Sequence, residues 1–178
     1  NQKLPIVFKP AYSLKGKRGV SVVRSNNLIK KAIKYAEKNT INRKILMEEY
    51  LSGPDLTLIS IVKKSKLFPV CFIEEINKED SNGIISRNGY KTINTDHVSW
   101  KKQAIKIANI IISELKVRCS PLNLSFRVDS KNNLKLIEVH LDIGGENLIE
   151  SFFPKVLPID FLNYVIETLL GNSKKPLN

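Results

Sequence analysis

Residues 136–148 read LIEVHLDIGGENL, and the way this run is read decides the fold. Glu138, His140 and Asp142 alternate with Ile137, Val139 and Leu141, which is the period of a strand with one polar and one apolar side. The run then breaks at Gly144 and Gly145, where the absence of side chains lets a ligand or another stretch of backbone come close. Just upstream, residues 121–129 (PLNLSFRVD) alternate in the same way. Leu122, Leu124, Phe126 and Val128 share one side, and Asn123, Ser125, Arg127 and Asp129 share the other. With SKNN between them, the two runs predict an antiparallel hairpin with one apolar face and one chargeable face. A sheet packed on one side and wet on the other gives the same pattern. The alternation alone therefore leaves a surface strand and a metal–nucleotide site both open.

Working outward, residues 5–10 (PIVFKP), 20–25 (VSVVRS) and 44–51 (KILMEEYL) read as strands, and SGPD at 52–55 as a turn. Residues 56–64 and 67–76 read as two paired strands joined across Lys63 to Lys66. A helix follows Ser25 or Asn26, either of which can cap it, with Leu28, Ile29, Ala32, Ile33 and Ala36 as its apolar stripe. Trp100, Ala104, Ile107, Ala108, Ile111 and Leu115 mark a second amphipathic helix. A last helix is expected over about 158–170, with Asp160 at its start and Gly171 placed to end it. Residues 77–97 are polar and rich in Gly and Asn, and predict a long loop in which Arg87 or Lys91 could meet a phosphate or carboxylate. His97, beside a helix start, reads as a surface residue. The mixture is α+β with hairpin-connected strands, because strand–helix alternation is too poor for a doubly wound parallel sheet.

A hydrophobic content of 42% with 26% charged residues places the chain of 178 residues among globular proteins with one substantial core or two small subdomains. No apolar run reaches the length of a membrane span, which argues against a membrane partner. Cys71 and Cys119 show no pairing pattern and are expected reduced and buried, in a cytoplasmic protein. The net charge of +12 raises a nucleic-acid reading. The cations are scattered along loops and helix faces, however, and the aromatics do not interleave with them, so nucleic acid is disfavoured as a partner.

The second segment with chemistry is KPAYSLKGKRGV at 9–20. Gly16 and Gly19 allow backbone N–H groups to converge on an anion, Ser13 adds a hydroxyl, and Lys9 ends the strand as a point charge. The spacing fits neither a Walker motif nor a dinucleotide fingerprint.

Taken in order, three pieces resemble the ATP-grasp superfamily of ligases, in its carboxylate–amine ligase and carbamoyl-phosphate-synthase-like form. Residues 5–23 look like its lid, ILMEEYLSGPDLTL at 45–58 like its hinge, and the hairpin at 123–148 like the strand pair that carries its metal ligands. The resemblance implies a small α/β lid subdomain over 1–49 and a larger antiparallel-sheet-and-helix subdomain over 50–178, without the amino-terminal domain that precedes them in the family and would be a partner here. It also implies ATP and magnesium, with manganese a possible substitute, and small-molecule carboxylate and amine substrates (or a thiol acceptor) joined through an acylphosphate. Carried over by position, Lys9 meets nucleotide phosphate and the adenine edge, and Ser13, Lys15 and Gly16 form the phosphate loop. Glu48 with the backbone of Glu49, Tyr50 and Leu51 takes adenine, Asp55 takes the ribose, and Glu138 bridges metal. Arg87 joins Lys9 and Glu138 as a candidate catalytic residue, and His140 joins Glu138 as a candidate ligand.

The chain also departs from the pattern. Ser125 stands where the family has Asp, Glu or Gln, His140 where it has Asn, and Asp142 where many members have Arg. Side chains on one strand face are spaced by roughly 6.5–7 Å, so Glu138, His140 and Asp142 do not all reach one ion. These departures set the active ligase against an alternative, a degenerate ATP-grasp domain that binds nucleotide or a partner without catalysis.

Overall fold

A computed structural model describes residues 3–13, 16–95, 100–145 and 147–172. Among the described residues, eight strands and four α-helices divide into two compact units, 1–51 with 76–89, and 52–75 with 90–178. The fold is α+β with antiparallel sheets, as the strand and helix patterns predict.

In the first unit, β1 (Ile6–Pro10) lies between β2 (Ser21–Val23) and β3 (Ile45–Glu49), antiparallel to both. Alternation along β1 buries Ile6, Phe8 and Pro10, and leaves Val7 and Lys9 on the other side. Ile6 and Phe8 pack with Val23 and with Ala32 of helix α1 (Ile29–Lys38). The expected cap at Ser25 or Asn26 does not form. A single 3₁₀ turn at Asn26–Leu28 leads into α1, and the Ser25 hydroxyl bonds Asn27 instead.

A five-stranded sheet in the order β6-β5-β4-β7-β8 has β4 Asp55–Lys63, β5 Lys66–Glu79, β6 Ile85–Thr92, β7 Cys119–Val128 and β8 Leu134–His140; the second unit holds β4, β7, β8 and β5 up to Glu75, while the hairpin end of β5 and β6 at 76–89 belongs to the first. One face packs Leu56, Leu58, Phe72, Leu122, Leu124 and Phe126 beneath helix α2 (Trp100–Glu114). Trp100 meets Phe72 edge-on at 5.2 Å. The other face buries Ile59, Ile61 and Ile73 beneath Leu148, Phe153, Phe161 and Val165. Those four sit in a π-helical turn at Leu148–Phe152, in α3 (Phe153–Val156) and in α4 (Phe161–Leu169). Full burial of such side chains is worth roughly 1.5–3 kcal/mol each, so both covers hold the sheet in place. Asp160 caps α4 by accepting from the Asn163 N–H at 3.0 Å, and Gly171 follows the helix in a left-handed conformation, as expected.

Three further expectations change. The long loop at 77–97 is largely a β-hairpin, since β5 runs to Glu79 and β6 starts at Ile85. The turn uses Asp80, whose carboxylate accepts the N–H groups of Asn82 and Ile84 at 2.8 and 2.9 Å, which holds its pKa below the ordinary carboxylate value. Asp129 does the same for Lys131 and Asn133 in the β7–β8 turn. Residues 76–89 group with 1–51.

The second change is a bulge in β8. Ser125 pairs with Glu138, but Phe126 pairs with Leu136, so Ile137 is the extra residue. Ile137 therefore does not continue the apolar face of Val139, and Leu134 packs into the core in its place. The third concerns the cysteines. Both are free, but Cys119 is exposed and only Cys71 is largely covered, which pushes its thiol up to about 12.

Candidate functional site

The polar end of the second unit's sheet gathers most of the hairpin residues singled out from the sequence. Directly opposed residues on antiparallel strands share a face. One row across the sheet is Ile73, Thr57, Ser125 and Glu138, and the next is Glu75, Asp55, Arg127 and Lys135. A third places Asn123 beside His140. This is the face whose other end is sealed by Phe153 and Phe161, so the strand side is neither simply wet nor simply packed.

Within these rows the contacts are specific. Glu138 Oε2 and His140 Nε2 lie 3.0 Å apart, and the Nδ1 of the same ring is 3.8 Å from Asp142 Oδ2. The bond to Glu138 is the main cause of a raised imidazole pKa, with burial opposing it and Asp142 and Glu75 adding attraction. Arg127 reaches Asp55 at 3.4 Å, and the hydroxyls of Thr57 and Ser125 are 3.3 Å apart. Asn123 donates to the Asp142 carbonyl at 2.8 Å, while its Oδ1 is buried with no hydrogen-bond partner among the described residues. Among the described residues no three His, Cys, Asp or Glu side chains converge as a metal cage. Magnesium takes one or two carboxylates and fills its remaining positions with phosphate oxygens and water, and Glu138 is a carboxylate of the kind that could serve such an ion.

The first unit carries the other group. Lys9 and Glu48 lie on the same side of neighbouring strands and pair at 2.9 Å. Ser13 donates its hydroxyl to the Gly16 carbonyl at 3.0 Å, closing the glycine loop on itself. Lys15 lies outside the described residues, as does His97. Glu49 ends β3 and is exposed, while Tyr50 and the half-buried Leu51 follow as the chain leaves the unit. The Tyr50 ring lies under the Arg24 guanidinium at 4.8 Å, and Arg24 in turn forks onto Glu79 at 2.9 and 2.8 Å. Arg87 is half-buried on β6. Lys91, the other cation proposed in that segment, pairs with Glu74 at 3.0 Å.

Arg24, Glu79, Thr57 and Arg127 carry no motif of their own. Arg127 stands on the polar side in the sequence pattern, but its pairing with Asp55 depends on the β4–β7 register, between residues 72 positions apart.

Residues 1–151 match the family described as carbamoyl-phosphate synthase L chain, ATP binding domain. The chain belongs to this family. Its fold is the ATP-grasp fold of several solved ligases and carboxylases. The L-amino acid ligase of Bacillus licheniformis superposes with a TM-score of 0.72 at 19% identity, over 100% of this chain and 41% of that one. The biotin carboxylase of Campylobacter jejuni gives 0.72 at 16%, over 97% and 38%. The biotin carboxylase domain of the Hydrogenobacter thermophilus 2-oxoglutarate carboxylase, solved with MgADP, ADP and bicarbonate, gives 0.67 at 16%, over 99% and 38%. This ATP-grasp chain thus spans about two fifths of the length of the structures it matches. No curated protein matches it in sequence.

Proposed function

We propose that this chain is the nucleotide-binding part of an ATP-dependent ligase that joins a small carboxylate to an amine, or to a thiol, through an acylphosphate. In this reading Lys9, Ser13, Lys15 and Gly16 take the phosphates, Glu48 to Leu51 take adenine, and Asp55 takes the ribose. Glu138, with His140 beside it, would hold magnesium, and manganese would suit the imidazole better than magnesium does. The ion supplies charge neutralisation at the phosphate oxygens. Lys9 and Arg87 add positive charge where phosphoryl oxygens gather charge. The carboxylate oxygen of the substrate attacks the γ-phosphorus and ADP leaves. The amine then attacks the acyl carbon, phosphate leaves, and the amine's proton passes to solvent or a base.

The observation that carries this reading is the placement of Glu138 within a polar end of the sheet, in a chain whose first 151 residues match an ATP-binding domain. The L-amino acid ligase among the superposed structures supports an amino acid as one substrate. Free cysteines at 71 and 119 suit a cytoplasmic setting. Among the described residues no helix is long and apolar enough to cross a membrane.

One observation favours the alternative of a degenerate domain. His140 already occupies an oxygen of Glu138, and Ser125 supplies a hydroxyl where a second carboxylate would help hold the ion. Phosphate release from ATP by the full-length protein, assayed with a panel of amino acids and amines, separates the two. A ligase releases phosphate only with both substrates and loses this with Glu138→Gln. A degenerate domain binds nucleotide without metal dependence and releases none.

A further inference from the structure

The tip of the β5–β6 hairpin, itself part of the first unit, is tied to the rest of that unit at four places among the described residues. Asn77 Oδ1 accepts from Lys17 Nζ at 3.1 Å, and the Gly83 carbonyl accepts from the Val22 N–H at 2.7 Å. Glu79 takes both Nε and Nη2 of Arg24, and Asn82 Oδ1 accepts from Lys31 Nζ at 2.7 Å. Lys17 belongs to the glycine loop. Arg24 lies over the Tyr50 ring, with Nη2 3.3 Å from the Tyr50 hydroxyl, so the fork on Glu79 also fixes the side chain that follows β3.

The Arg24–Glu79 and Lys31–Asn82 contacts are exposed and add little to global stability. Their geometry is nevertheless specific: a guanidinium gripped by two parallel bonds and stacked on an aromatic ring has one orientation, where a lone surface lysine has many. A lysine held by a carboxamide also enters its site already ordered, which lowers the entropy cost of gripping an anion.

We propose that the hairpin tip is a strap that positions the nucleotide-binding residues of the first unit, with Asn77 setting Lys17 in the glycine loop and Glu79, through Arg24, setting Tyr50 in the 48–51 segment. This rests on the reading of those two segments as the phosphate and adenine sites. Asn77 and Glu79 are positioning residues, since they act through Lys17 and Arg24 rather than on nucleotide.

The test is MgATP affinity of the full-length protein by calorimetry, with the melting temperature of each variant measured alongside. Asn77→Ala and Glu79→Gln are each expected to raise Kd on the order of tenfold, the scale of a lost hydrogen bond to a charged group. The melting temperature should move by less than about 3 °C. Asn77→Asp keeps an acceptor for Lys17 but puts a negative charge beside the phosphate loop, so it should keep the melting temperature and bind MgATP more weakly than the wild type. In a Lys17→Ala background, Asn77→Ala should add little further. Fully additive effects of those two alanine changes overturn the strap. Wild-type protein that binds no MgATP, or binds it equally with Lys9→Ala, overturns the underlying nucleotide reading and the strap with it.

Discussion

The Nε2 of His140 sits 3.0 Å from Oε2 of Glu138, two residues away on β8. Glu138 thereby has a protein partner in place before any cation arrives. The hydrogen bond to Glu138 raises the imidazole pKa, with the charges of Glu138 and Asp142 acting in the same direction and burial opposing them.

The first prediction follows from that pair. His140 has a folded-state pKa above its ordinary value of 6.5, so its contribution to stability is complete below the unfolded value and is lost as pH rises through the folded one. His140→Gln should therefore lower the melting temperature more at about pH 5.5 than at about pH 9. Both side chains are about half exposed, which limits the difference to about 1 kcal/mol or less. An equal loss at the two pH values would show that the ion pair contributes nothing.

The two cysteines should separate cleanly. Burial pushes the Cys71 thiol up to about 12, leaving almost no thiolate at neutral pH, whereas Cys119 is exposed at the start of β7. A disulfide-exchange reagent at about pH 8 should label one thiol quickly, and peptide mapping should place it at Cys119. Labelling of Cys71 should wait for denaturant. Rapid labelling of both would contradict the burial of Cys71.

Gly83 should not tolerate a side chain. Its φ of +76° is in the left-handed region, and a Cβ there would lie 1.9 Å from the Val22 carbonyl oxygen. Gly83→Ala should cost roughly 2–4 kcal/mol and lower the melting temperature by several degrees, because the hairpin tip must move off β2. Gly89→Ala, where nothing lies within 4 Å, is the control and should leave the melting temperature nearly unchanged.

Much of this was legible in the chain. The strand pairs at 56–76 and 121–142 announced themselves through alternation, and the glycine loop through Gly16, Gly19 and the cations around them. The β5–β6 hairpin was not, although Asp80-Ser81-Asn82-Gly83 closes it with the same aspartate turn that Asp129 makes in the hairpin that was read. The flanking strands are the reason. They carry Asn, Lys and Ser in place of the apolar residues that mark a half-buried strand, so local composition favoured a loop while pairing with the neighbouring strand prevailed. The bulge at Ile137 was equally silent, since it depends on the β7–β8 register rather than on any residue preference. Arg127 with Asp55 and Arg24 with Glu79 are long-range pairs, and nothing local marks them.

The most direct measurement is the melting temperature of the full-length protein with and without MgATP, for wild type and for Lys9→Ala. At a nucleotide concentration a hundredfold above Kd, binding stabilises the folded state by about 2.7 kcal/mol, or about 5–10 °C for a chain of this size. The wild type should show that upward shift, and Lys9→Ala should lose most of it. A wild type that melts at the same temperature with and without MgATP, or a Lys9→Ala variant that shifts just as far, would contradict the nucleotide site.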